Sequence, residues 1–340
     1  MYARTQFTAA DEQPVLDIPD IPSWSENYCF DGYDPQADVG CWLHLGRWPR
    51  NPVIWREQVL LYLPDGQHYV VRGFGNHPVL DGAGGALLRI TCVEPGKSWR
   101  IRFTGPARRL TLDALMRAPD SHLSDGPFQP LDMDLLFEAT RPAWDFGDAA
   151  KDEDWCTFHY EQHGRLSGTI SYIDGDDAAR TVAMNGNAYR DHSRGPRDLA
   201  GFGGFYWLHG QFPGGRAFSL VQSFKHVDGV RTPGISRAVM FDGDRMVEAS
   251  FDAAPVLIGR DRPPERFAIT ISSELGEMAL QARILRTIPQ SADRYMDQFD
   301  GVATPDTGVH YCFEEPTEFV WNGLVGHGHT ERAERTVADR

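Results

Sequence analysis

The sequence predicts an all-β protein built from antiparallel barrels or sandwiches, and three observations lead there. Short alternating or apolar runs fill most of the chain, punctuated by Gly, Pro, Asn and Asp. Helix-period patterns are few and short. At 340 residues the chain is long for one ordinary domain, so one large or two medium domains are expected. Many short strands in a chain of this length need their edges removed, which closed sheets achieve.

From the N-terminus, "SWSENYCFDGYDPQADVGCWLHLGRWP" reads as an aromatic-rich strand region carrying Trp24, Tyr28, Phe30, Trp42, His44 and Trp48. Nine tryptophans in the chain suit an aromatic-lined cavity. In "VIWREQVLLYLPDGQHYVVRGF", Val59–Leu63 and His68–Val71 flank "PDGQ", a hairpin signal. "EPGKS" does the same within "GALLRITCVEPGKSWRIRFTG", and Asp228-Gly229 within "AFSLVQSFKHVDGVR". Gln281, Arg283, Leu285 and Thr287 alternate with Ala282, Ile284, Arg286 and Ile288, so one face should be wetter than the other. Helical turns are expected at Leu110–Ala118 and Ser291–Asp300, and "ERAERTVADR" reads as a charged tail or short helix.

A formal charge of −15 argues against nucleic acid or an anionic membrane as partner. No stretch reaches the roughly 20 apolar residues of a membrane span, so stable membrane insertion is not expected. The opening residues lack the apolar region of an export signal. Five scattered cysteines without a CxxC pair point to a reducing, cytoplasmic setting. GxSxG and GxxxxGK[ST] are absent, and the glycine-rich "GFGNHPVLDGAGG" and "GFGG" lie in strand contexts with no following helix. No cofactor is expected.

The stretch "NGNAYRDHSRGPRD", residues 185–198, concentrates charge around Asp191 and His192. In an extended chain these neighbours point to opposite sides, with Arg190 and His192 on one face and Asp191 and Ser193 on the other. Either the segment is a salt-bridge knot or it supplies an acid–base pair. Its Gly and Pro breaks also make it the best seam, dividing the chain into domains 1–195 and 196–340. In "WCTFHYEQHGRLSGTI", His159, Glu161 and His163 share a face, either three metal ligands or, the favoured reading, the solvated side of an edge strand, while Tyr160 and Gln162 face a cavity. In "GGFYWLHGQFPGG", Phe205, Trp207 and His209 share one face, suited to a barrel interior, and Tyr206 and Leu208 the other. In "GHGHTE", His327, His329 and Glu331 have the spacing of a facial metal set.

The 185–198 segment is similar to the G-x-x-x-RDHSWG-x-RD signature of a bacterial superfamily with two lipocalin-like barrels. That group includes the carotenoid 1,2-hydratases (hydroxyneurosporene synthases), and calyx-shaped Diels–Alderases share its architecture. "ENYCFDGYDPQADVGCWLHLGRWP", "FHYEQHGRLSGTI" and "GLVGHGHTE" resemble the family's opening, YEQ-type and closing strands. The resemblance implies two lipocalin-like antiparallel barrels in tandem. It also implies a cofactor-independent hydratase, cyclase or isomerase acting on a terpenoid or polyketide-like substrate in an apolar cavity. Asp191 would be the acid, with His192 and Tyr206 as partners. Trp42, Phe205 and Trp207 would shape the cavity, with Tyr160, Gln162, Arg190 and His209 as polar contacts. Arg194 stands where the signature has Trp, so either the local pocket is more polar or Arg194 points outward and pairs with an acid. Other readings are a non-catalytic carrier of a lipophilic small molecule and a metal-dependent oxygenase using His327, His329 and Glu331. The expected partners are a lipophilic small molecule and, for assembly, a second copy of the chain as a homodimer.

Overall fold

The computed structural model describes residues 2–116, 126–152, 156–197, 202–227, 230–252, 265–292, 298–300 and 310–335. Its strands form two antiparallel sheets, each closed into an eight-stranded barrel. The first consists of β1 (Trp24–Asp34), β2 (Val39–Trp48), β3 (Asn51–Tyr62), β4 (His68–Gly75), β5 (Ser98–Leu110), β6 (Phe128–Ala139), β7 (Phe158–Ile173) and β8 (Ala179–Pro196). The second consists of β9 (Phe202–Gln211), β10 (Arg216–Val227), β11 (Val230–Asp242), β12 (Arg245–Phe251), β13 (Arg266–Ser273), β14 (Gly276–Ile284), β15 (His310–Trp321) and β16 (Leu324–Arg335). In both, each strand pairs with the next and the last returns to the first, β8 to β1 and β16 to β9. This is the tandem, lipocalin-like all-β fold the sequence predicts. Among the described residues, no helix is long and apolar enough to cross a membrane.

Three local expectations change. The 185–198 segment does not interrupt a strand, because β8 runs through it for 18 residues. Ser291–Asp300 is not a helix where it is described: Ile288–Ala292 and Gln298–Asp300 are short paired strands, and 293–297 lie outside the described residues. Glu331–Arg335 continues β16. The Asp228-Gly229 turn and Asp198 also lie outside the described residues. By packing, one unit gathers Met1–Thr111 with Asp125–Arg197, and the other gathers Leu112–Ser124 with Asp198–Arg340. The helical turn Leu112–Leu115 falls in the second unit because it lies against Ile288–Ala292, and Met116 packs on that unit's apolar core.

The first barrel has an apolar interior through most of its length, with Phe30, Leu43, Val59, Ile101, Phe103, Leu135 and Ile170 among its side chains. The rest of the interior is ionic. Even-numbered residues of β7 and β8 point inward, which places Tyr160, Gln162, Arg190, His192 and Arg194 inside. Arg190 has no exposure, and its guanidinium is gripped by Glu12 through Nη2–Oε1 at 3.0 Å and Nη1–Oε2 at 3.2 Å. Gln162 Oε1 accepts from Arg190 Nε and Nη2 at 3.1 and 2.8 Å. Tyr160 Oη donates to Glu12 Oε2 at 2.5 Å and accepts from Arg190 Nη1 at 3.1 Å.

Glu12 comes from α1 (Ala9–Glu12), a single helical turn. The Gly96 amide, in the "EPGKS" turn at φ 70°, donates to Glu12 Oε1 at 2.8 Å. Only glycine suits this place, because a Cβ would sit 2.2 Å from the Phe7 ring as well as straining the backbone. His192 lies 3.2 Å from Tyr160 Oη and 3.1 Å from Glu26 Oε1, stacked on Tyr28 with centroids 4.2 Å apart. Arg194 points inward rather than outward and pairs with Glu26 at 2.7 Å. Although burial works against it, Glu26 is held down to about 2 by His192, Arg194 and the Val15 amide.

The second barrel carries its own ionic element. Arg332, fully buried, pairs with Glu315 Oε2 at 2.9 Å through Nε, and Thr287 Oγ1 donates to Glu315 Oε1 at 2.9 Å. Around them lie Leu208, Phe218, Leu220, Ile271, Leu280 and Phe313.

Removing one partner of a buried pair leaves an uncompensated charge. Glu12→Ala should therefore destabilise the chain by about 3–5 kcal/mol. The double variant Glu12→Ala/Arg190→Met should recover much of that loss. Urea unfolding followed by tryptophan fluorescence checks both.

Candidate functional site

The alternation that sends Arg190 and His192 inward sends Asp191 and its odd-numbered neighbours outward. Cross-strand register then lines up three rows on the outer face of the first barrel. The middle row is Glu161, Asp191, Cys29, His44, Gln58 and Arg72. On one side run His163, Tyr189, Asp31, Trp42 and Leu60; on the other run His159, Ser193, Asn27, Gly46 and Arg56. Most of these side chains are buried, including His159, Glu161 and His163, so the expected solvated edge is overturned. Here β7 is not an edge strand: it pairs with β8 on one side and with Trp144 and Asp145 on the other, and the Phe146 ring covers His159 at 4.4 Å between centroids.

Asp191 is half-buried and makes no hydrogen bond or ion pair among the described residues. Its carboxyl is pushed up to about 6, first by burial; His159 and Arg197 pull against this, while Glu161 and Asp31 add to it. A carboxyl near 6 exists in both protonation states around neutrality, as an acid–base catalyst requires. Beside it, Glu161 Oε1 lies 2.9 Å from His159 Nε2, and Glu161 Oε2 accepts from Tyr189 Oη at 2.7 Å. Arg197 donates to Ser193 Oγ at 2.6 Å.

Two strands away, His44 and Trp42 stack with ring centroids 5.5 Å apart. His44 Nδ1 and Trp42 Nε1 are both buried and find no hydrogen-bond partner among the described residues. His44 is held neutral, its pKa driven well down by burial and then by Arg56, Arg197 and Arg72. Gly46 makes room here, since a Cβ would come within 2.4 Å of Asn27 Oδ1 and 2.6 Å of His44 Cε1. Buried polar atoms without partners are rare in native proteins, and each calls for a cause such as strain, catalysis or a bound water, ion or ligand.

Residues 8–336 match the family described as a domain of unknown function, DUF7064. The chain belongs to that family. Among solved structures, a Nitrosomonas europaea protein assigned provisionally as AttH shares 14% identity over 98% of both chains, with a TM-score of 0.62. CghA shares 11% identity over 94% of this chain and 90% of that one, with TM-scores of 0.57 alone and 0.59 in its structure with Sch210972. At such identities the likeness establishes the fold. No curated protein matches the chain.

The residues the sequence singles out for one site are dispersed in this DUF7064 chain. Asp191 and Trp42 share the outer face of the first barrel. His192, Arg190, Tyr160 and Gln162 lie inside that barrel, tied into the Glu12–Glu26 network, so Asp191 and His192 do not meet. Tyr160 and Gln162 thus face an ionic cluster and not an open cavity. Tyr206 is in the apolar core of the second barrel, with Phe224 at 5.8 Å.

Phe205, Trp207 and His209 alternate with Tyr206 and Leu208 and face outward, correcting the interior placement expected for them. There Trp207 and His209 meet His329, at 6.4 and 6.1 Å between centroids. The His327–His329–Glu331 set does not converge: His329 Nε2 lies 3.0 Å from Glu314 and accepts from the Glu315 amide at 3.3 Å. Among the described residues, the ligand-type atoms that gather within 4.8 Å are those of Cys312, Glu314 and Glu331. Burial and the two carboxylates hold the Cys312 sulfur as a thiol, its pKa well above the ordinary range.

Sequence reasoning did not assign His44, Tyr189 or Arg197 to this site. The signal that could have found Tyr189 is the period-2 step from Asp191, and the same step on β7 reaches Glu161.

Folding favours the protonated form of Asp191, because its carboxyl rises from 3.8 to about 6. That stabilisation is complete below about pH 4 and is lost as pH rises through about 6. Asp191→Asn should therefore be more stable than the parent chain at about pH 7.5, by on the order of 1–2 kcal/mol once partial exposure is allowed for. The two should converge near about pH 4, as urea unfolding at both pH values will show.

Proposed function

We propose that the chain is an enzyme that moves a proton on a lipophilic organic substrate, as a hydratase, cyclase or isomerase does, with Asp191 as the acid or base. One observation carries this reading: a carboxyl raised to about 6 by burial, with no hydrogen-bond or ion-pair partner among the described residues, on a face that also carries Trp42 Nε1 and His44 Nδ1, unpartnered among the same residues. A carboxyl serving only structure would be expected to find a cation or a donor. Protonated Asp191 would deliver its proton to an alkene or enol carbon, and the resulting carboxylate would take a proton back from water or from the adjacent carbon. Glu161, fixed by His159 and Tyr189, stands beside it and keeps the carboxyl protonated to a higher pH. Trp42, on the next row of the same face, gives an apolar substrate an aromatic surface to lie on. CghA, which shares the fold, has been solved with Sch210972, and this supports a ligand-binding role for the architecture.

The same face could hold a lipophile without changing it. The test is to incubate terpenoid and polyketide-like candidates with the chain in deuterated water and follow products by mass spectrometry. Asp191→Asn should lower turnover by about 100-fold or more, while ligand-induced quenching of tryptophan fluorescence keeps its midpoint. Turnover of the parent chain should show a pH limb near 6. Equal turnover by the variant, or ligand binding without conversion, would leave a carrier.

A further inference from the structure

The face around Asp191 is divided by charge. Its carboxylates, Asp31, Asp191 and Glu161, come from β1, β8 and β7. Asp31 stands opposite Trp42, and two of the three arginines lie beyond it. Arg56 and Arg72 are on β3 and β4, and Arg197, held by Ser193, reaches toward His44 from the end of β8. This is an arginine-rich patch in a chain of net charge −15.

Beside it, Trp42 Nε1 is a buried group that can only donate a hydrogen bond, and among the described residues it has no acceptor. His44 adds a second buried, unpartnered ring nitrogen beside it, also more than nine-tenths buried. Covering these atoms with hydrocarbon would leave each unsatisfied and so cost binding. A ligand with an oxygen acceptor removes that penalty. The charges of Arg56, Arg197 and Arg72, all felt at His44, favour an oxygen that carries negative charge over a neutral carbonyl. A cationic ligand would meet Arg56, Arg72 and Arg197 and be repelled. Register places Asp191 about 10 Å from His44, two strand spacings across the sheet. A substrate anchored by its head at His44 therefore presents carbon atoms several bonds further on to Asp191.

Building on the Asp191 reading, we propose that the substrate carries an anionic oxygen head, a carboxylate or an enolate, bound by Trp42 Nε1, His44 and the Arg56–Arg72–Arg197 patch while its apolar body lies along the row toward Asp191. The head group sets specificity, and Trp42, His44, Arg56 and Arg72 are specificity-determining residues.

The probes are cis-parinaric acid and its methyl ester, titrated into the full chain and read by probe fluorescence. They share one apolar body and differ in the charge of the head. The acid should bind at least tenfold more tightly than the ester. Trp42→Phe, Arg56→Gln and Arg72→Gln should each weaken the acid about tenfold and leave the ester unchanged, with circular dichroism confirming the fold. Equal affinity for acid and ester in the parent chain, no binding of either, or a preference that survives both arginine substitutions overturns the proposal. The acid–ester comparison in the parent chain needs no variant, so a misfolded mutant does not blunt it. Asp191→Asn separates the two readings. A retained preference for the acid with undiminished turnover keeps the anion site and rejects proton transfer by Asp191, whereas lost turnover with equal acid and ester binding does the reverse.

Discussion

A guanidinium sealed inside a barrel has to be neutralised and fully hydrogen-bonded, and Arg190 sets that requirement for the first barrel. No strand of the barrel supplies the carboxylate that grips it. The counter-ion is Glu12, 178 residues away in sequence, carried in on one helical turn. Its arrival brings Phe7 onto Tyr160 and the Gly96 amide onto a carboxylate oxygen. Glu26 does the same for Arg47, His192 and Arg194. The second barrel meets the problem with residues of its own strands and connections, Arg332, Glu315 and Thr287. Breaking either pair is costly because solvent cannot reach the charge left behind.

The inward set fixes the outward set. A strand has no freedom to send Arg190, His192 and Arg194 into the ionic cluster without sending Asp191 and Ser193 the other way. The charged segment thus does two jobs with alternate residues. Its even positions hold the barrel together, and its odd positions face the row that runs to His44. A raised carboxyl, a neutral buried histidine and an unsatisfied indole N–H each cost stability. Such costs on the face that carries Asp191 are the pattern expected where function and not folding selects the residues.

The fold and half of the candidate site were legible before any coordinates. Alternation and turn chemistry marked the strands, and the step of two separated Asp191 from His192. Trp42 was visible as an aromatic on an early strand. The sequence shows His44 in that aromatic region but not as a neighbour of Asp191, because their proximity depends on β1 lying between β8 and β2. It does not show that Trp207 and His209 face out of their barrel. Composition does not say which of two apolar-looking faces is the inside, and in β9 it is the face of Tyr206 and Leu208.

By itself the sequence determined an all-β chain, its strand periodicity, and the opposite orientation of neighbouring residues in the charged segment. These are local properties, written in patterns of two to ten residues and in the turns between them. Only the tertiary structure decided that Glu12 answers Arg190, that His159 and Glu161 are buried, and that Asp191 shares a face with His44 and Trp42. Each of those facts depends on barrel closure and cross-strand register, which bring together residues distant in the chain, and so on burial, which raises the Asp191 carboxyl and keeps His44 neutral.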